Sequence, residues 1–111
     1  MPIQNLEEPF ARITVDEAKE MVVRDDVVVV DVRELHEYQT GHVPGAKLIP
    51  VNTVPGRCEE LPKDRDIVFV CQVGQRSALA CEMAAAAGLT RLFNLEGGTG
   101  DWIKAGLSVE K

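Results

Sequence analysis

A run of four valines at residues 27–30 constrains the fold of this chain more than any other feature. Four apolar, β-branched side chains in succession suit a strand that is buried on both of its faces. Such strands belong to parallel sheets whose two faces are covered by helices. The valine run therefore predicts a buried strand of an α/β domain.

The rest of the chain alternates between strand-like and helix-like segments. Further strands are predicted at residues 10–13, 46–49, 67–70 and 91–95. Helices are predicted from residue 14 onward and at residues 34–39, 52–61, 77–87 and 100–105. This alternation predicts a five-stranded parallel sheet with helices on both faces. A length of 111 residues fits a single domain at residues 1–111, with its core at about 10–109.

Two of the predicted helices carry signals for their ends. Thr14 and Glu17 have the spacing of a capping box, with Thr14 as the N-cap residue. The alanine-rich segment 77–87 has Ser77 as its expected N-cap residue and Gly88 just beyond its end. On this helix, the residues expected to face the sheet are Leu79, Met83, Ala86 and Ala87.

Composition and charge restrict the kinds of partner that this chain can bind. It has 18 acidic and 12 basic residues, and a formal net charge of −6. Because the resulting field repels phosphates, the charge argues against nonspecific binding of nucleic acid or of an anionic membrane. A small anionic ligand stays compatible with it, since a local cluster of donors outweighs a screened and distant field. No apolar run reaches the length that spans a membrane.

The cysteines and the first residues bear on the cellular location. Three cysteines without close pairing are typical of free thiols in a reducing compartment rather than of a disulfide framework. The first ten residues show neither the basic nor the apolar region of a secretory signal. We therefore expect a cytoplasmic protein.

Residues 71–77, with the sequence CQVGQRS, form the segment most suggestive of chemistry. Cys71 follows a predicted strand, at the edge of the sheet where α/β proteins bind ligands. The next helix points its positive end at the sulfur, and the N–H groups of the loop can fold inward around an anion. Gly74 allows the positive φ that such a fold needs, and Arg76 adds a fixed positive charge.

These features predict that the pKa of Cys71 lies below the free value of about 8.5. Such a cysteine would be a thiolate that is open to a reactant, and a thiol sealed in the interior would contradict this interpretation. The alternative is that Cys71 is a small buried hydrophobic residue and Arg76 a solvated helix residue.

Three further groups of residues form a recognisable pattern around this loop. They are Asp31-Val32-Arg33-Glu34 with Glu37-Tyr38, Gly41-His42-Val43-Pro44-Gly45-Ala46 with Ile49-Pro50, and Gly97-Gly98 with Trp102 and Ala105-Gly106-Leu107. Together they resemble the signatures of the rhodanese family, and residues 71–77 resemble its active-site loop. The resemblance extends from about residue 13 to residue 109 and implies a rhodanese-like α/β fold.

The resemblance implies transfer of sulfur through a persulfide on Cys71. The cysteine would take the outer sulfur of a donor such as thiosulfate and pass it to a thiol or cyanide acceptor, with ping-pong kinetics. It implies no metal and no organic cofactor. Arg76 would hold the anionic end of the donor or neutralise the loop. The loop residues that would bind the donor are Gln72, Val73, Gly74, Gln75, Arg76 and Ser77.

Other functions remain open at this point. A related branch of phosphatases and arsenate reductases carries a loop longer by one residue; here four residues separate Cys71 from Arg76, which favours sulfur over phosphorus. A sulfur-relay carrier that serves a protein donor or acceptor shares the same chemistry. An inactive module that binds partners is the third alternative. The sequence leaves the donor, the acceptor, the pathway and the oligomeric state undecided.

Asp31, Arg33 and His42 are candidates for a supporting role beside the loop. Arg33 could help attract an anion, but a structural ion pair of Arg33 with Asp31 or Glu37 is the favoured interpretation. His42 could be a general base, but it is more simply read as a residue that hydrogen-bonds backbone and fixes a turn.

The remaining candidates are read as structural. No His, Cys and Asp residues have the spacing of zinc ligands. Cys81 is expected in the core, and Cys58 is expected to be a partly buried helix thiol. Trp102 either packs the last helix onto the sheet or lines the mouth of the active site.

Overall fold

A computed structural model describes residues 2–111, and within that range six strands form one sheet. In chain order they are β1 (Ile3–Gln4), β2 (Ala11–Ile13), β3 (Val27–Asp31), β4 (Lys47–Leu48), β5 (Asp66–Val70) and β6 (Leu92–Leu95). In space the order is β1-β2-β6-β5-β3-β4. Strands β2 to β6 pair in parallel, and β1 pairs with β2 in antiparallel orientation.

The α/β fold with its predicted parallel strands is confirmed, and the strand count differs by one. The additional strand is β1, whose two residues are exposed and carry no apolar run that could signal a strand. The valine run forms most of β3, between β5 and β4. Val29 and Val30 belong to separate buried clusters, because consecutive strand residues point to opposite faces of a sheet.

Helices cover both faces of the sheet, as predicted. They are α1 (Val15–Met21), α2 (Leu35–Tyr38), α3 (Val54–Arg57), α4 (Gln75–Ala86) and α5 (Gly98–Lys104), with single 3₁₀ turns at Val51–Thr53 and Cys58–Glu60. One buried cluster joins the sheet to α1 through Ala18 and to α5 through Trp102. The opposite cluster joins it to α3 through Val54 and to α4 through Ala80. Among residues 2–111, no helix combines the length and the apolar character of a bilayer-spanning segment.

The start of α1 agrees with the sequence, since Thr14 and Glu17 form the reciprocal hydrogen bonds of a capping box. The start of α4 does not: its N-cap residue is Gly74 and its first helical residue is Gln75. Ser77, which was predicted as the N-cap residue, lies inside the first turn and is fully buried. Gly88 has a φ of 101°, as expected for the residue beyond the helix end.

The predicted sheet-facing side of α4 is also wrong. Leu79 is exposed, Ala86 and Ala87 face solvent, and Met83 is half-buried. The side that faces the sheet consists of small residues, which are Ser77, Ala80, Cys81 and Ala84. Small side chains let the helix approach the sheet closely. The buried side of α4 is therefore set by close packing and not by the size or hydrophobicity of its side chains.

Candidate active site

Cys71 directly follows β5, at the carboxyl edge of the parallel strands. Asp31, the last residue of β3, pairs with Val70 at the same edge. Cys71 is fully buried, with 0% of its surface exposed. The expectation of a thiol open to reactants is therefore wrong for this conformation, because the loop folds back over its own sulfur. The next two residues, Gln72 and Val73, are exposed, so the loop itself faces solvent.

The buried sulfur lies within hydrogen-bond distance of a backbone N–H group and of a hydroxyl group. The Gly74 N–H donates to Cys71 Sγ over 3.1 Å, and Ser77 Oγ lies 3.3 Å from it. Burial acts to raise the pKa of Cys71, but hydrogen bonds with the Ser77 side chain and with the backbone of Ser77, Val73 and Gly74 bring it below its ordinary value. The direction is the one expected from the sequence, although the sulfur is out of contact with solvent.

Gly74 is the residue that turns the loop. Its φ of 98° lies in the left-handed region, and it serves as N-cap residue of α4. A Cβ at this position would also stand 3.3 Å from the backbone nitrogen of Gly97. The turn places the sulfur at the start of α4, where the first N–H groups of a helix have no partner within the helix.

The first turn of α5 holds the other side of the loop. The Thr99 N–H donates to the Cys71 carbonyl over 2.8 Å, and the Gly100 N–H donates to the Gln72 carbonyl over 3.1 Å. Gly98 makes this approach possible: its φ is 57°, and a Cβ there would lie 2.4 Å from the Cys71 carbonyl oxygen. The loop carbonyls are thus bound by α5, while the Gly74 amide is directed at the sulfur.

Arg76 is paired rather than free for an anionic ligand. Its guanidinium donates to both carboxylate oxygens of Glu37 on α2, over 2.8 and 2.9 Å. The hydrogen bond with Arg76 lowers the pKa of Glu37 to about 2. Glu37 was not predicted as the partner of Arg76, although it stands in one of the signature segments.

Asp31 and Arg33 form a buried ion pair, with an Nη2–Oδ2 distance of 2.8 Å. Arg33 also donates to the Gly41 carbonyl over 2.9 Å and to the Gln72 side chain over 3.3 Å. The favoured interpretation of a structural ion pair is consistent with these contacts. The pair reaches the cysteine loop through Gln72.

His42 contacts α2 and the C-terminal residues of the chain. Its Nδ1 lies 2.9 Å from the Tyr38 carbonyl oxygen, and its ring stacks on the Tyr38 ring at a centroid distance of 3.6 Å. Its backbone exchanges two hydrogen bonds with Glu110. These contacts fit the expected role in fixing a turn.

The other cysteines and the tryptophan occupy structural positions. All three cysteines are free, and Cys81 is fully buried within α4. Cys58 is half-buried and lies 3.1 Å from the Val54 carbonyl. Trp102 is buried against the sheet and donates to the Ser108 carbonyl over 2.9 Å, so it packs α5 rather than lining the loop. Within residues 2–111, no group of His, Cys, Asp and Glu side chains is arranged to hold a metal ion.

Asn94 is a site residue that the sequence interpretation missed. It is fully buried in β6, accepts a hydrogen bond from Ser77 Oγ through Oδ1, and donates to the Gly74 carbonyl over 3.1 Å. A signal was available, because Asn94 is a polar residue within the otherwise apolar strand Leu92–Leu95. A buried amide in such a strand must find partners, and here those partners belong to the cysteine loop.

Comparison with known proteins agrees with this geometry. A family model described as a rhodanese-like domain matches residues 14–105. A sulfurtransferase of Allochromatium vinosum is 40% identical over 85 residues, which cover 77% of this chain and 79% of that protein. The thiosulfate sulfurtransferase GlpE of Pseudoalteromonas translucida is 28% identical over 93 residues, covering 84% and 89%.

The fold is also found among solved structures. The crystal structure of a rhodanese-related protein from Thermoplasma volcanium superposes with a TM-score of 0.81 at 29% identity. The match covers 89% of this chain and 96% of that one.

Proposed function

The chain belongs to the rhodanese-like sulfurtransferase family, and on that premise we propose that it transfers sulfur through a persulfide on Cys71. The observation that supports this most is the sulfur itself. Although it is fully buried, hydrogen bonds at the start of α4 hold its pKa below the ordinary value. A cysteine in such surroundings is a nucleophile at lower pH than a free thiol.

In the first half-reaction, the Cys71 thiolate attacks the outer sulfur of the donor. With thiosulfate, the sulfur–sulfur bond of the donor breaks and sulfite leaves with the bonding electron pair. The new bond joins Cys71 Sγ to the transferred sulfur, whose negative charge lies at the start of α4. The N–H groups that stabilise the thiolate also favour this anion.

In the second half-reaction, an acceptor such as cyanide or a thiolate attacks the outer sulfur of the persulfide. The bond between the two sulfurs breaks, and Cys71 Sγ leaves as the thiolate. The Gly74 N–H, 3.1 Å from Sγ, stabilises the leaving group. The two separate half-reactions predict ping-pong kinetics.

The loop has to move before a donor can reach the buried sulfur. Since Cys71 is fully buried, the donor has to displace part of residues 72–74 before it reaches Sγ. The pair with Glu37 uses two of the five N–H donors of Arg76 and neutralises its charge, so Arg76 attracts the anionic end of the donor less than a free guanidinium would. Thiosulfate as donor is proposed from the small anion that this positive helix end can take and from the name of the relative GlpE.

Incubation with thiosulfate, followed by intact-mass measurement, tests the proposal. We expect a gain of one sulfur atom, lost again on addition of cyanide, and no gain in Cys71→Ser. No sulfur adduct, together with turnover of an aryl phosphate, would refute sulfur transfer in favour of phosphatase chemistry. Loading by a protein persulfide but not by thiosulfate would identify a relay carrier instead.

Location and further partners stay predictions. The three free thiols favour a reducing compartment, and we infer the cytoplasm from them. The acidic net charge of −6 disfavours nucleic acid and anionic membranes as partners.

A further inference from the structure

Three fully buried side chains form a line of hydrogen bonds behind the sulfur. Ser77 Oγ lies 3.3 Å from Cys71 Sγ and donates its proton to Asn94 Oδ1. Each of the three residues has 0% of its surface exposed. A serine hydroxyl has one proton, so Ser77 cannot donate to Asn94 and to the sulfur at the same time.

The surroundings of Asn94 fix the direction of this hydrogen bond. Its Nδ2 donates to the Gly74 carbonyl over 3.1 Å and to the Glu96 carboxylate over 2.8 Å. Both of these groups can only accept, so a flipped amide would set its oxygen against two other oxygens. Glu96 is itself held by Arg12 over 2.6 Å. Asn94 therefore presents an acceptor to Ser77, and the Ser77 proton points away from Cys71.

The backbone N–H groups around the sulfur favour a thiolate, but the Ser77 hydroxyl in this direction favours a neutral sulfur. With its proton on the Asn94 side, Ser77 turns a lone pair toward Sγ. The lone pair can accept from a protonated thiol and is compatible with the uncharged Sγ of a persulfide. The same lone pair repels a thiolate. The hydroxyl stabilises a thiolate only after it turns and donates its proton to Sγ.

We propose that Asn94 is a positioning residue that holds the Ser77 proton away from Cys71 while Sγ is neutral and releases it when Sγ becomes a thiolate. This inference rests on the proposed function, in which Sγ alternates between a neutral persulfide and a thiolate. When an acceptor takes the outer sulfur, the electron pair of the sulfur–sulfur bond passes to Sγ. The Ser77 hydroxyl then rotates from Asn94 to Sγ, and no proton moves from one heavy atom to another.

The charged and titratable groups around Sγ are common to every protein in the test below. On the elements packed around the sulfur they are Arg76 and Cys81 of α4, Glu37 of α2, Asp31 and Arg33 at the end of β3, Glu96 after β6, Arg12 of β2 and Asp101 of α5. None of these residues is substituted. Asn94→Ala removes the donor to Glu96 in both backgrounds, so the difference between the two backgrounds reports on the contact of Asn94 with Ser77.

The test is a double-mutant cycle on the titration of Cys71. The pKa is read from the pH dependence of Cys71 alkylation by iodoacetamide, mapped to its peptide by mass spectrometry. Four proteins are compared: the parent, Asn94→Ala, Ser77→Ala and the double variant. Removing Asn94 frees the Ser77 proton for the sulfur, so we expect Asn94→Ala to shift the pKa downward by about one unit. In the Ser77→Ala background, the downward shift should be absent, and any remaining change reports on the bonds of Asn94 with Gly74 and Glu96.

An equal shift in both backgrounds, or no downward shift in the parent, would overturn the proposal. If Asn94→Ala fails to fold by circular dichroism, Asn94→Leu fills the volume without an acceptor, and the same outcomes apply to it. The titration needs no sulfur donor. A negative result in the double-mutant cycle therefore does not bear on the persulfide assay. A negative persulfide assay likewise does not prevent interpretation of the cycle.

Discussion

Cys71 and Cys81 lie in the same buried cluster and have the same lack of exposure, yet their thiols differ in the direction of their pKa. Burial raises the pKa of Cys81 far above its ordinary value. Burial acts on Cys71 in the same sense, but hydrogen bonds with the Ser77 side chain and with the backbone of Ser77, Val73 and Gly74 outweigh it. Exposure therefore does not separate a thiol with a lowered pKa from one with a raised pKa in this molecule.

The difference comes from where each sulfur stands relative to α4. Cys81 lies in the interior of the helix, where the backbone N–H groups are used by the helix itself. Cys71 precedes the helix and faces its first turn, whose N–H groups need external partners. The same helix thus supplies apolar burial to one thiol and donors to the other.

The largest expected effect is on sulfur loading. Cys71→Ser should lower the rate of persulfide formation by roughly a thousandfold or more, because it removes the nucleophile. Cys81→Ala should load normally and lose only about 1 kcal/mol of stability from its small cavity. Intact-mass time courses with thiosulfate measure the loading. Equal loss in both variants would remove the distinction between the two cysteines.

Alkylation should also separate the two thiols. Cys71 becomes accessible when a short loop opens, whereas Cys81 requires the loss of helix packing, so we expect rates that differ on the order of a hundredfold. Because the pKa of Cys71 is lowered, its alkylation should reach half of its maximal rate at a lower pH than that of a free cysteine. Peptide mapping after timed exposure to iodoacetamide measures both. Faster labelling of Cys81 in the folded protein would contradict the comparison.

Gly98→Ala tests whether the loop geometry causes the difference. The new Cβ would stand 2.4 Å from the Cys71 carbonyl oxygen, at a φ of 57°. We expect a loss of about 2 kcal/mol in the free energy of unfolding and a rise in the pKa of Cys71.

Gly106→Ala is the matched control for this substitution. Gly106 has a φ of 78°, but a Cβ there would meet no neighbour within 4 Å. It should show backbone strain without a change at Cys71. Urea unfolding and the alkylation profile measure both variants, and an unchanged Cys71 pKa in Gly98→Ala would contradict the proposed support by α5.

Glu37→Gln should have the smallest effect. The folded-state pKa of Glu37 is lowered to about 2 from 4.5 by its hydrogen bond with Arg76, so the pair stabilises the fold above pH 4.5 and this contribution is lost as the pH falls toward 2. The variant should lose about 1 kcal/mol of stability at pH 7, and the difference from the parent should vanish near pH 2.

Urea unfolding at several pH values measures this, with the exposed Glu82→Gln on α4 as a control. A difference between Glu37→Gln and the parent that does not depend on pH would exclude the ion pair as its cause.

The sequence was sufficient for the alternation of strands and helices and for the cysteine loop, because both rest on local patterns. The size of the side chains did not predict which side of α4 is buried, because the side that meets the sheet carries Ser77 and Ala80 rather than Leu79. The start of α4 was missed because a glycine in a left-handed conformation took the place of a capping side chain.

The long-range partners of the site could not be derived from sequence. Arg76 and Glu37 are far apart in the chain, and so are Ser77 and Asn94, so no local spacing joins them. The burial of Cys71 was missed for a related reason. A nest of N–H groups predicts a charged sulfur, but it leaves open whether the loop closes over it.

The two edges of the sheet have a consequence beyond the site. β1 and β4 are each two residues long, and Lys47 on β4 is exposed and charged. A long, flat edge strand is a template on which other chains can add strands and aggregate, and short or charged edges prevent this. The domain is therefore suited to crowded surroundings and to fusion beside other folded units, where strand exchange between neighbours would otherwise be a hazard.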